Sequence, residues 1–385
     1  MLERQYELKP RDVLFFRDGR PMDADKALRM DVRNIGHGAV WPRPDHLFNG
    51  AMHALLKETP GATYGSFPSL KVMGPYPMKG GVLYLPRPLD WDMLIEPCAD
   101  TDLPEPLEYG FVDRTEGKKK YPDWIPLSDY AKYLRREERG LDLKCRDASL
   151  FGIEPRIGTT LDSATGASKR TKGRHSSGQY HGEYLRLEKG VSMWCAVATG
   201  QMGTGSNAGD APELPRSFVM GGQGGVVARC ETDVCLPVAL PRTEVKADGE
   251  VFVRWTLISP ALFRLTGWLP GWCRDSRKDV AETKPLGTVM FPDCGDCSLV
   301  GACIGKAIAF SGWDMATGIK PTVLAVPQGS AYLFRCKDGL SAEALVARLH
   351  LQRQSDFGPQ GFGIGVCSIV KPDLAVVSQT NKNIK

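Results

Sequence analysis

The stretch FGPQGFGIGV, residues 357–366, decides how the end of this chain is interpreted. It holds four glycines, and about twenty residues follow it. The preceding SAEALVARLHLQ, residues 341–352, has apolar residues at helical spacing, with Ser341 as the expected N-cap, and the following IGVCSIV predicts an apolar strand. Nucleotide-binding glycine loops have the opposite order, because the phosphate rests on the helix that follows the loop. Two interpretations remain: a tight turn with positive φ, or a backbone that lies along an extended polyanion such as RNA.

Working back from this stretch, residues 238–385 predict the element order β-α-β-β-α-β. Strands are expected in VFVRWTLISP, ACIGKAIAFSGW, SAYLFRC and the terminal segment, with a short helical start in LFRLTGWLPGW, residues 262–272. This order is ferredoxin-like, and it also builds sheet-based RNA-binding modules. Residues 1–237 are interpreted as a second, heavily inserted copy. The predicted fold class is therefore α+β, with two ferredoxin-like (RRM-like) domains that carry large insertions.

Two helices are predicted in the first half. PDHLFNGAMHALLKE, residues 44–58, places Leu47, Ala51 and Leu55 on one face. DYAKYLRREERG, residues 129–140, predicts a short charged helix.

Composition limits the class of protein. The chain has 385 residues, 42% of them hydrophobic and 24% charged, which is ordinary for a globular protein large enough for two domains. The formal net charge is only +4, so a nucleic-acid-binding function must depend on local clusters of basic residues. A charged start, the lack of a long apolar run and eleven scattered cysteines predict a protein of the reducing cytoplasm.

A basic loop is predicted between Asp162 and Glu183, a window without any acidic residue. Its basic residues stand among glycine, serine and threonine; they are Lys169, Arg170, Lys172, Arg174, His175 and His181. Such a loop cannot build a core of its own. It is either a solvated surface loop or a loop that neutralises phosphates and becomes ordered on RNA.

The segment FFRDGRPM, residues 15–22, places Arg17 and Arg20 on either side of an Asp-Gly turn. Both guanidinium groups could reach phosphates or base edges, and the alternative is a surface hairpin with an Arg–Asp pair.

A second glycine cluster lies in FVMGGQGGVVARC, residues 218–230. It contains Gly221 and Gly222 and is followed by Arg229. A close approach of the backbone and an irregular turn between strands explain it equally well.

A metal site and a catalytic site are both weakly indicated. CGDCSLVGAC, residues 294–303, contains one C-x-x-C pair, with Cys303 and the upstream Cys273 as further thiols, whereas a structural zinc site normally needs two paired halves. Unliganded thiols are favoured and no metal is predicted, although zinc stays open. His46 and His53 lie seven residues apart on the predicted helix and could serve a metal-independent ribonuclease, or be ordinary helix residues.

Six stretches together resemble a known family. In order they are DVLFFRDGRPM, WPRPDHLFNGAMHALL, RIGTTLDSATG, FVMGGQGG, AVPQGSAYLF and FGPQGFGIGV. They resemble the RAMP-superfamily subunit at the foot of type III-B CRISPR (Cmr) effector complexes, and the resemblance spans nearly the whole chain.

The resemblance implies a cytoplasmic, non-catalytic subunit without a cofactor. Such a subunit grips the 5′ handle of the CRISPR RNA (crRNA) and docks on the large polymerase-type subunit and on the first backbone subunit. The positions that match the family are Arg17, Asp18, Gly19, Arg20, Gly221, Gly222, Gly361, Gly363 and Gly365. Gln223-Gly224-Gly225 departs from the family, in which an acidic residue is expected soon after Gly222.

The full set of expected RNA contacts combines the motifs with the resemblance. It comprises Arg17, Arg20, Lys169, Arg170, Lys172, Arg174, His175, Gly221, Gly222, Arg229, Gly361, Phe362, Gly363 and Gly365. Tyr180 and Tyr184 are candidates for stacking on bases. Gly363→Val is expected to weaken RNA binding while leaving the fold largely intact. The alternatives are a metal-independent endoribonuclease that processes CRISPR repeat RNA, which would depend on His46, and a metabolic enzyme.

Overall fold

The computed structural model describes most of the chain, with gaps. The described residues are 4–18, 34–97, 107–113, 121–135, 149–159, 164–167, 179–202, 209–210, 212–236, 240, 249–274, 287–294, 296–311, 313–314, 318–319 and 321–372. None of the described helices is long and apolar enough to cross a membrane.

The fold is mixed α+β and is built mainly from strands. The helices are α1 (Pro44–Glu58), α2 (Leu127–Arg135) and α3 (Gly339–Leu349), with short 3-10 helices at Tyr64–Ser66 and Gly358–Gln360. The strands are β1 (Arg4–Pro10), β2 (Asn34–Gly36), β3 (Lys71–Lys79), β4 (Val82–Pro86), β5 (Leu94–Pro97), β6 (Tyr109–Val112), β7 (Trp124–Pro126), β8 (Phe151–Thr159), β9 (Gln179–Leu187), β10 (Val191–Ala198), β11 (Gln201–Met202), β12 (Gly209–Asp210), β13 (Ser217–Val219), β14 (Val226–Glu231), β15 (Val251–Leu257), β16 (Cys297–Cys303), β17 (Ile308–Phe310), β18 (Trp313–Asp314), β19 (Gly318–Ile319), β20 (Val323–Ala325), β21 (Ala331–Cys336) and β22 (Gly365–Val370).

The first sheet has the strand order β13-β14-β1-β10-β3-β4-β7. Helix α1 has the predicted bounds, because Pro44 suits the first helical turn and Leu47, Ala51 and Leu55 recur on one face. These three side chains are fully buried in the first core. Burial of each leucine contributes about 2 kcal/mol, so packing against the sheet holds the helix.

The second sheet has the order β22-β15-β21-β16-β6-β5. Strands β15, β21 and β22 lie where the sequence predicts them, whereas β16 shares only residues 302–303 with the predicted strand. Every neighbouring pair among these four strands is antiparallel. Strand β6 joins through the parallel pair of Tyr109 and Gly301. The first half of the chain therefore supplies two strands to the second sheet, and the division at residues 237/238 stays a prediction.

The two sheets share one strand order. The principal strands, in chain order, are β1, β3, β10 and β14 in the first half and β15, β16, β21 and β22 in the second. Across each sheet they lie in the order fourth, first, third, second, namely β14-β1-β10-β3 and β22-β15-β21-β16. The first unit has a helix after its first strand, and the second has one after its third strand. A complete β-α-β-β-α-β unit is not present in the described part of either half, so two ferredoxin-like domains stay a prediction.

Three details of the predicted second half are wrong. The strand predicted at residues 302–313 is not continuous, because β16 ends at Cys303 and the Gly305 amide donates to the Ser330 hydroxyl at 3.2 Å; the rest of the segment contributes only to β17 and β18, which pair outside the second sheet. Residues 262–272 form turns and isolated bridges rather than a helical start, because Leu262, Phe263 and Leu269 are buried from an irregular backbone. Helix α3 begins at Gly339 and is capped by Asp338, whose Oδ1 accepts from the Ser341 backbone N at 2.8 Å, so Ser341 is not the N-cap.

A buried polar network links the two halves. Arg254 of β15 donates to Asp90 Oδ2 at 3.1 Å and to the Tyr133 carbonyl at 3.1 Å, and the Tyr133 hydroxyl donates to Asp90 Oδ1 at 2.7 Å. Asp90, Tyr133 and Arg254 are all buried. Removal of one partner from such an ion pair costs about 3–5 kcal/mol, so this network fixes the second sheet against the first half.

Candidate nucleic-acid interface

Residues 14–18, the segment after β1, bring together three separate regions. Leu14 exchanges backbone hydrogen bonds of 2.9 and 2.7 Å with Leu185 of β9. The Phe15 carbonyl accepts from the Gly222 amide at 2.8 Å, and the Phe16 carbonyl accepts from the Ala39 amide. The structure thus joins the arginine turn, the glycine cluster of residues 221–225 and the hairpin that carries the basic loop, which the sequence presented as unconnected motifs.

The close approach at the first glycine cluster is made to this segment. Gly221 has φ +82°, and a Cβ there would lie 2.6 Å from the Phe15 carbonyl oxygen and 2.8 Å from the Phe16 ring. No L side chain fits at that position without movement of the backbone. Gly224 also has positive φ, but nothing lies within 4 Å of its Cβ position. Residues 222–224 are exposed, although the Gly222 amide and carbonyl are both used within the protein, by the Phe15 carbonyl and the Gly225 amide.

Glu183 fixes the strand beside Arg17. Its Oε2 accepts from the Gly38 amide at 3.2 Å and lies 3.3 Å from His37 Nδ1. Gly38 in turn pairs with Arg17 in a backbone bridge, and the Asp18 amide donates to the His37 carbonyl at 3.3 Å. Arg17 is half-buried at the end of this ladder. Gly19 and Arg20 lie outside the described residues.

The basic loop leaves from the end of the hairpin β8–β9. The last register pairs are Gly158 with Tyr180 and Thr159 with Gln179. The loop residues Lys169, Arg170, Lys172, Arg174 and His175 lie outside the described residues, so their contact with RNA stays a prediction.

An ion network holds the body of this hairpin. Arg156 donates to Asp12 Oδ2 at 2.9 Å and to Glu154 Oε1 at 2.7 Å, and Arg186 donates to both carboxylates. Hydrogen bonds from Arg186 and Arg156 lower the pKa of Glu154 to about 2, and the bond from Arg156 lowers the pKa of Asp12. Because the four charges compensate one another, these two exposed arginines are weaker attractors of phosphate than their number suggests.

One predicted stacking residue is placed at this interface. The Tyr184 ring lies 5.3 Å from the Phe15 ring, with the Arg156 guanidinium 5.6 Å from its centroid. The side chain of Tyr180 is not among those described. Sequence reasoning missed Phe15 and Glu183 as members of the site. The only available signal for Glu183 was its position at the end of the acid-free window.

Arg229 is engaged within the protein. Its side chain is 11% exposed, lies 3.3 Å from Glu231 Oε1 and 3.7 Å from Glu213 Oε2, and stacks 4.7 Å from the Tyr6 ring centroid. Its charge is therefore balanced by neighbours, and an RNA contact at Arg229 stays a prediction that these contacts do not require.

The glycine loop near the end of the chain approaches protein rather than solvent. A Cβ at Gly363 would lie 2.2 Å from Ser355 Cβ, and one at Gly365 would lie 2.2 Å from Trp255 Nε1. A Cβ at Gly361 would lie 2.9 Å from Pro44 Cβ, across the boundary between the two halves. Close packing therefore explains these glycines, and Phe362 between them is fully buried.

The mechanism expected for this loop needs correction. The Gly361 amide donates to the Gly358 carbonyl and the Gly363 amide to the Pro260 carbonyl, both at 2.8 Å, so neither amide is free for a phosphate. RNA contacts by Gly361, Phe362, Gly363 and Gly365 stay predictions that the fold does not require. Gly363→Val cannot leave the fold intact, because the side chain has no space and φ is +68°.

His46 has a structural role in α1. Its Nδ1 accepts from the Arg43 backbone amide at 3.1 Å at the start of the helix, and its ring lies 5.0 Å from that of Phe16. Burial lowers the pKa of His46 to about 4, so the ring is neutral near pH 7. These contacts are those of a helix-capping residue, and they do not favour the ribonuclease alternative.

The C-x-x-C pair lies in the second core. Cys294 and Cys297 are buried, and Cys297 Sγ lies 2.9 Å from Cys336 Sγ on the neighbouring strand. Burial raises the pKa of Cys273 well above its usual value. Within the described residues, no three His, Cys, Asp or Glu side chains come together as metal ligands would.

The chain is similar to proteins of known type. A family described as CRISPR-associated protein (Cas_Cmr3) matches residues 6–369. No curated protein sequence matches significantly. A chain in the structure of type III-B Cmr-beta bound to cognate target RNA is 14% identical, with 93% of this chain and 95% of that chain covered and a TM-score of 0.47. A second structure of that complex, with AMPPnP, gives 14% identity, 86% coverage of both chains and a TM-score of 0.45.

A type III-A structure gives a similar result. A chain of the Csm3-Csm4 subcomplex of the type III-A CRISPR-Cas interference complex is 12% identical, with 86% of this chain and 92% of that chain covered and a TM-score of 0.39. Structural similarities this distant carry no argument about function, which is drawn from the family match and from the interface itself.

Proposed function

The chain belongs to the Cas_Cmr3 family of CRISPR-associated proteins, and on that premise we propose that it is a non-catalytic, crRNA-binding subunit of a cytoplasmic type III-B effector. In this proposal it grips the 5′ handle of the crRNA and docks on the large polymerase-type subunit and on the backbone subunits. The observation that carries the RNA-binding part is the convergence of residues 14–18, the exposed residues 222–224 and the β8–β9 hairpin.

The physical case rests on how RNA is held. Basic side chains neutralise phosphates and release counterions, while free backbone amides and flat side chains contact single-stranded segments. Here Arg17 lies in the segment that receives the Gly222 amide, and the same segment pairs with β9, which leads back from the basic loop. Segments that are about 200 residues apart in sequence thus meet in one surface, and this convergence supports the proposal of an RNA contact there.

The experiment is to purify the tagged chain from its native host, sequence the 5′ ends of bound RNA and identify the co-purified proteins. The expected result is a set of guide RNAs with one fixed 5′ handle, together with one large and several smaller proteins. A chain that carries no RNA in this preparation contradicts the proposal.

Variants connect the result to the surface. Arg17→Ala combined with Arg20→Ala is expected to reduce the bound RNA, and replacement of Lys169, Arg170, Lys172 and Arg174 by alanine is expected to flatten the salt dependence of binding. The matched control is Arg348→Ala, which removes one exposed guanidinium from α3 in the second half. Equal RNA loss in the control would assign the effect to net charge and contradict the proposed surface.

A further inference from the structure

Four side chains from distant parts of the sequence stack in one row at the boundary between the two halves. The Arg264 guanidinium carbon lies 5.0 Å from the Phe357 ring centroid, and the Phe357 and Phe310 centroids are 6.0 Å apart. The Arg43 guanidinium carbon completes the row, 5.0 Å from the Phe310 centroid. These four residues are termed the arginine–phenylalanine ladder.

Contacts with the packed interior hold the ladder in place. Phe362, fully buried in the glycine loop, meets the Phe310 ring edge-on at 5.2 Å with an interplanar angle of 83°. Phe310 also pairs with Val323 across the β17–β20 ribbon, and Arg43 donates to the Ser311 carbonyl at 3.4 Å. The row is therefore part of the packed structure.

Phe357 carries the clearest sign that the row has a purpose beyond folding. It has φ +58° and ψ +29°, a left-handed conformation that bulky residues rarely adopt, and glycine would adopt it without strain. Its side chain is nevertheless 36% exposed, so the ring gains only part of the stabilisation of a buried phenylalanine. A strained, exposed aromatic residue is typical of a binding site.

The charges around the ladder indicate which part of a ligand it contacts. Arg43 pairs with Asp45 at 3.1 Å, and Arg264 pairs with Asp356 at 3.4 Å. Both guanidinium charges are compensated, and the accessible members are Arg264, with 55% of its side chain exposed, and Phe357, whereas the Arg43 side chain is 12% exposed. The Arg264–Phe357 end of the row therefore offers flat faces rather than net positive charge. Flat neutral groups such as nucleobases stack on aromatic rings and on arginine planes, whereas phosphates require uncompensated charge.

The ladder is also continuous with the candidate interface. Arg43 lines a cleft of about 450 Å³ between the two halves, and Asp18 and Gly38 line the same cleft. Ile308, two residues before Phe310, lies in that cleft as well. An RNA strand that is held at residues 14–18 therefore has a path through the cleft to the ladder.

We propose that the arginine–phenylalanine ladder stacks one or two unpaired bases of the bound RNA. This assignment rests on the proposed function, because it takes RNA as the ligand. It gives the glycine loop a role in binding that differs from phosphate contact: the loop presents Phe357 and supports Phe310 through Phe362.

The test uses Phe357→Gly, which removes the ring and relieves the backbone strain, so that folding is preserved. The full-length chain, in its purified complex after release of the bound RNA, is titrated with a fluorescein-labelled single-stranded 12-mer RNA of mixed sequence. Phe357→Gly is expected to weaken binding on the order of tenfold with an unchanged or higher unfolding midpoint, and Phe357→Trp to restore it. The matched control is Leu340→Ala, which truncates a different exposed apolar side chain, located on α3. This variant is expected to bind the RNA as tightly as the wild type does.

Each outcome is decisive. Equal binding of wild type and Phe357→Gly overturns the ladder and leaves the proposed function standing. Absence of RNA binding by the wild-type complex overturns both. Loss of a protein subunit from the Phe357→Gly complex without loss of RNA affinity assigns the row to a protein contact and overturns the inference. A labelled duplex of the same sequence is expected to be insensitive to Phe357→Gly, since its bases are already stacked, and a tenfold loss there also overturns it.

Discussion

Each glycine cluster leads into the fourth principal strand of its half, β14 for residues 221–225 and β22 for residues 361–365. The two clusters nevertheless differ in what surrounds them. The cluster at residues 221–225 lies on the surface, and only part of it packs against the segment after β1. The cluster at residues 361–365 is buried and meets protein at all three glycines. Two similar glycine-rich sequences are therefore mainly surface-exposed in the first half and closely packed in the second.

This difference shows what a glycine-rich stretch can and cannot indicate. Positive φ occurs in both clusters, at Gly221 and Gly224 as well as at Gly361 and Gly363. The identity of the neighbour decides the role, and the neighbours of a loop come from distant sequence. The buried cluster depends on Trp255 and Ser355, whereas the exposed one depends on Phe15 and Phe16.

The largest effect is expected where the comparison is sharpest, in a pair of glycines with the same φ. Gly363 and Gly224 both have φ +68°, but a Cβ meets Ser355 at 2.2 Å in the first case and nothing within 4 Å in the second. We expect Gly363→Val to lower the free energy of unfolding by roughly 3 kcal/mol or more, and Gly224→Ala by about 1 kcal/mol. Chemical denaturation of both variants measures the difference, and equal losses would contradict the assignment of Gly363 to packing.

An intermediate effect is expected at Gly221, which packs closely against the protein but belongs to the surface cluster. Its Cβ would displace the Phe15 carbonyl, so Gly221→Ala should cost about 2 kcal/mol and also shift the segment that carries Arg17. RNA affinity, measured by filter binding of the folded variant, is expected to fall several-fold. Gly61→Ala is the control, because Gly61 has φ +81° with nothing within 4 Å of its Cβ position and lies outside the proposed interface. The role of the 14–18 segment in RNA binding is refuted if both variants bind alike.

The smallest effect is expected in the pH dependence of stability at Glu154, in the exposed ion network of the hairpin β8–β9. The folded-state pKa of Glu154, about 2, is below its ordinary value near 4.5, so its stabilising contribution is complete above pH 4.5 and is lost as the pH falls towards 2. Glu154→Gln should therefore flatten the fall of the unfolding midpoint over this range. Added salt should reduce the difference between the two proteins, because the network is exposed. If the unfolding midpoints of wild type and variant fall in parallel with pH at low salt, a stabilising role of the Glu154 network is contradicted.

Local features of the fold were predictable from sequence. Helix α1 has the expected bounds because periodic apolar residues, Pro44 and the helix-compatible residues between them all agree. Strands β15, β21 and β22 of the second sheet are also as expected, whereas β16 precedes the predicted strand and overlaps it only at residues 302–303. The segment of residues 262–272 was not predictable, because Leu262, Leu265 and Leu269 have helical spacing, yet Leu265 is 84% exposed while the other two are buried by the surrounding chain.

The site was predictable as motifs but not as an arrangement. Arg17 and the glycines at 221 and 222 were recognised, whereas the contact between Phe15 and Gly222 depends on chain folding over about 200 residues. The ladder is less accessible still, since Arg43, Arg264, Phe310 and Phe357 share no motif. Its one local signal is the phenylalanine before Gly358-Pro359, where a bulky residue occupies a position suited to glycine.

The parallel pair between β6 and β16 has a consequence for synthesis on the ribosome. Gly301 emerges about 190 residues after Tyr109, its partner, which corresponds to roughly 10–40 s of translation at ordinary rates. During that interval the β5–β6 hairpin has an unpaired edge, and edges of this kind recruit other strands. Release of a chain that stops before residue 297 would leave this edge permanently open. Products that end between residues 231 and 297 should therefore aggregate, even though they contain every strand of the first sheet.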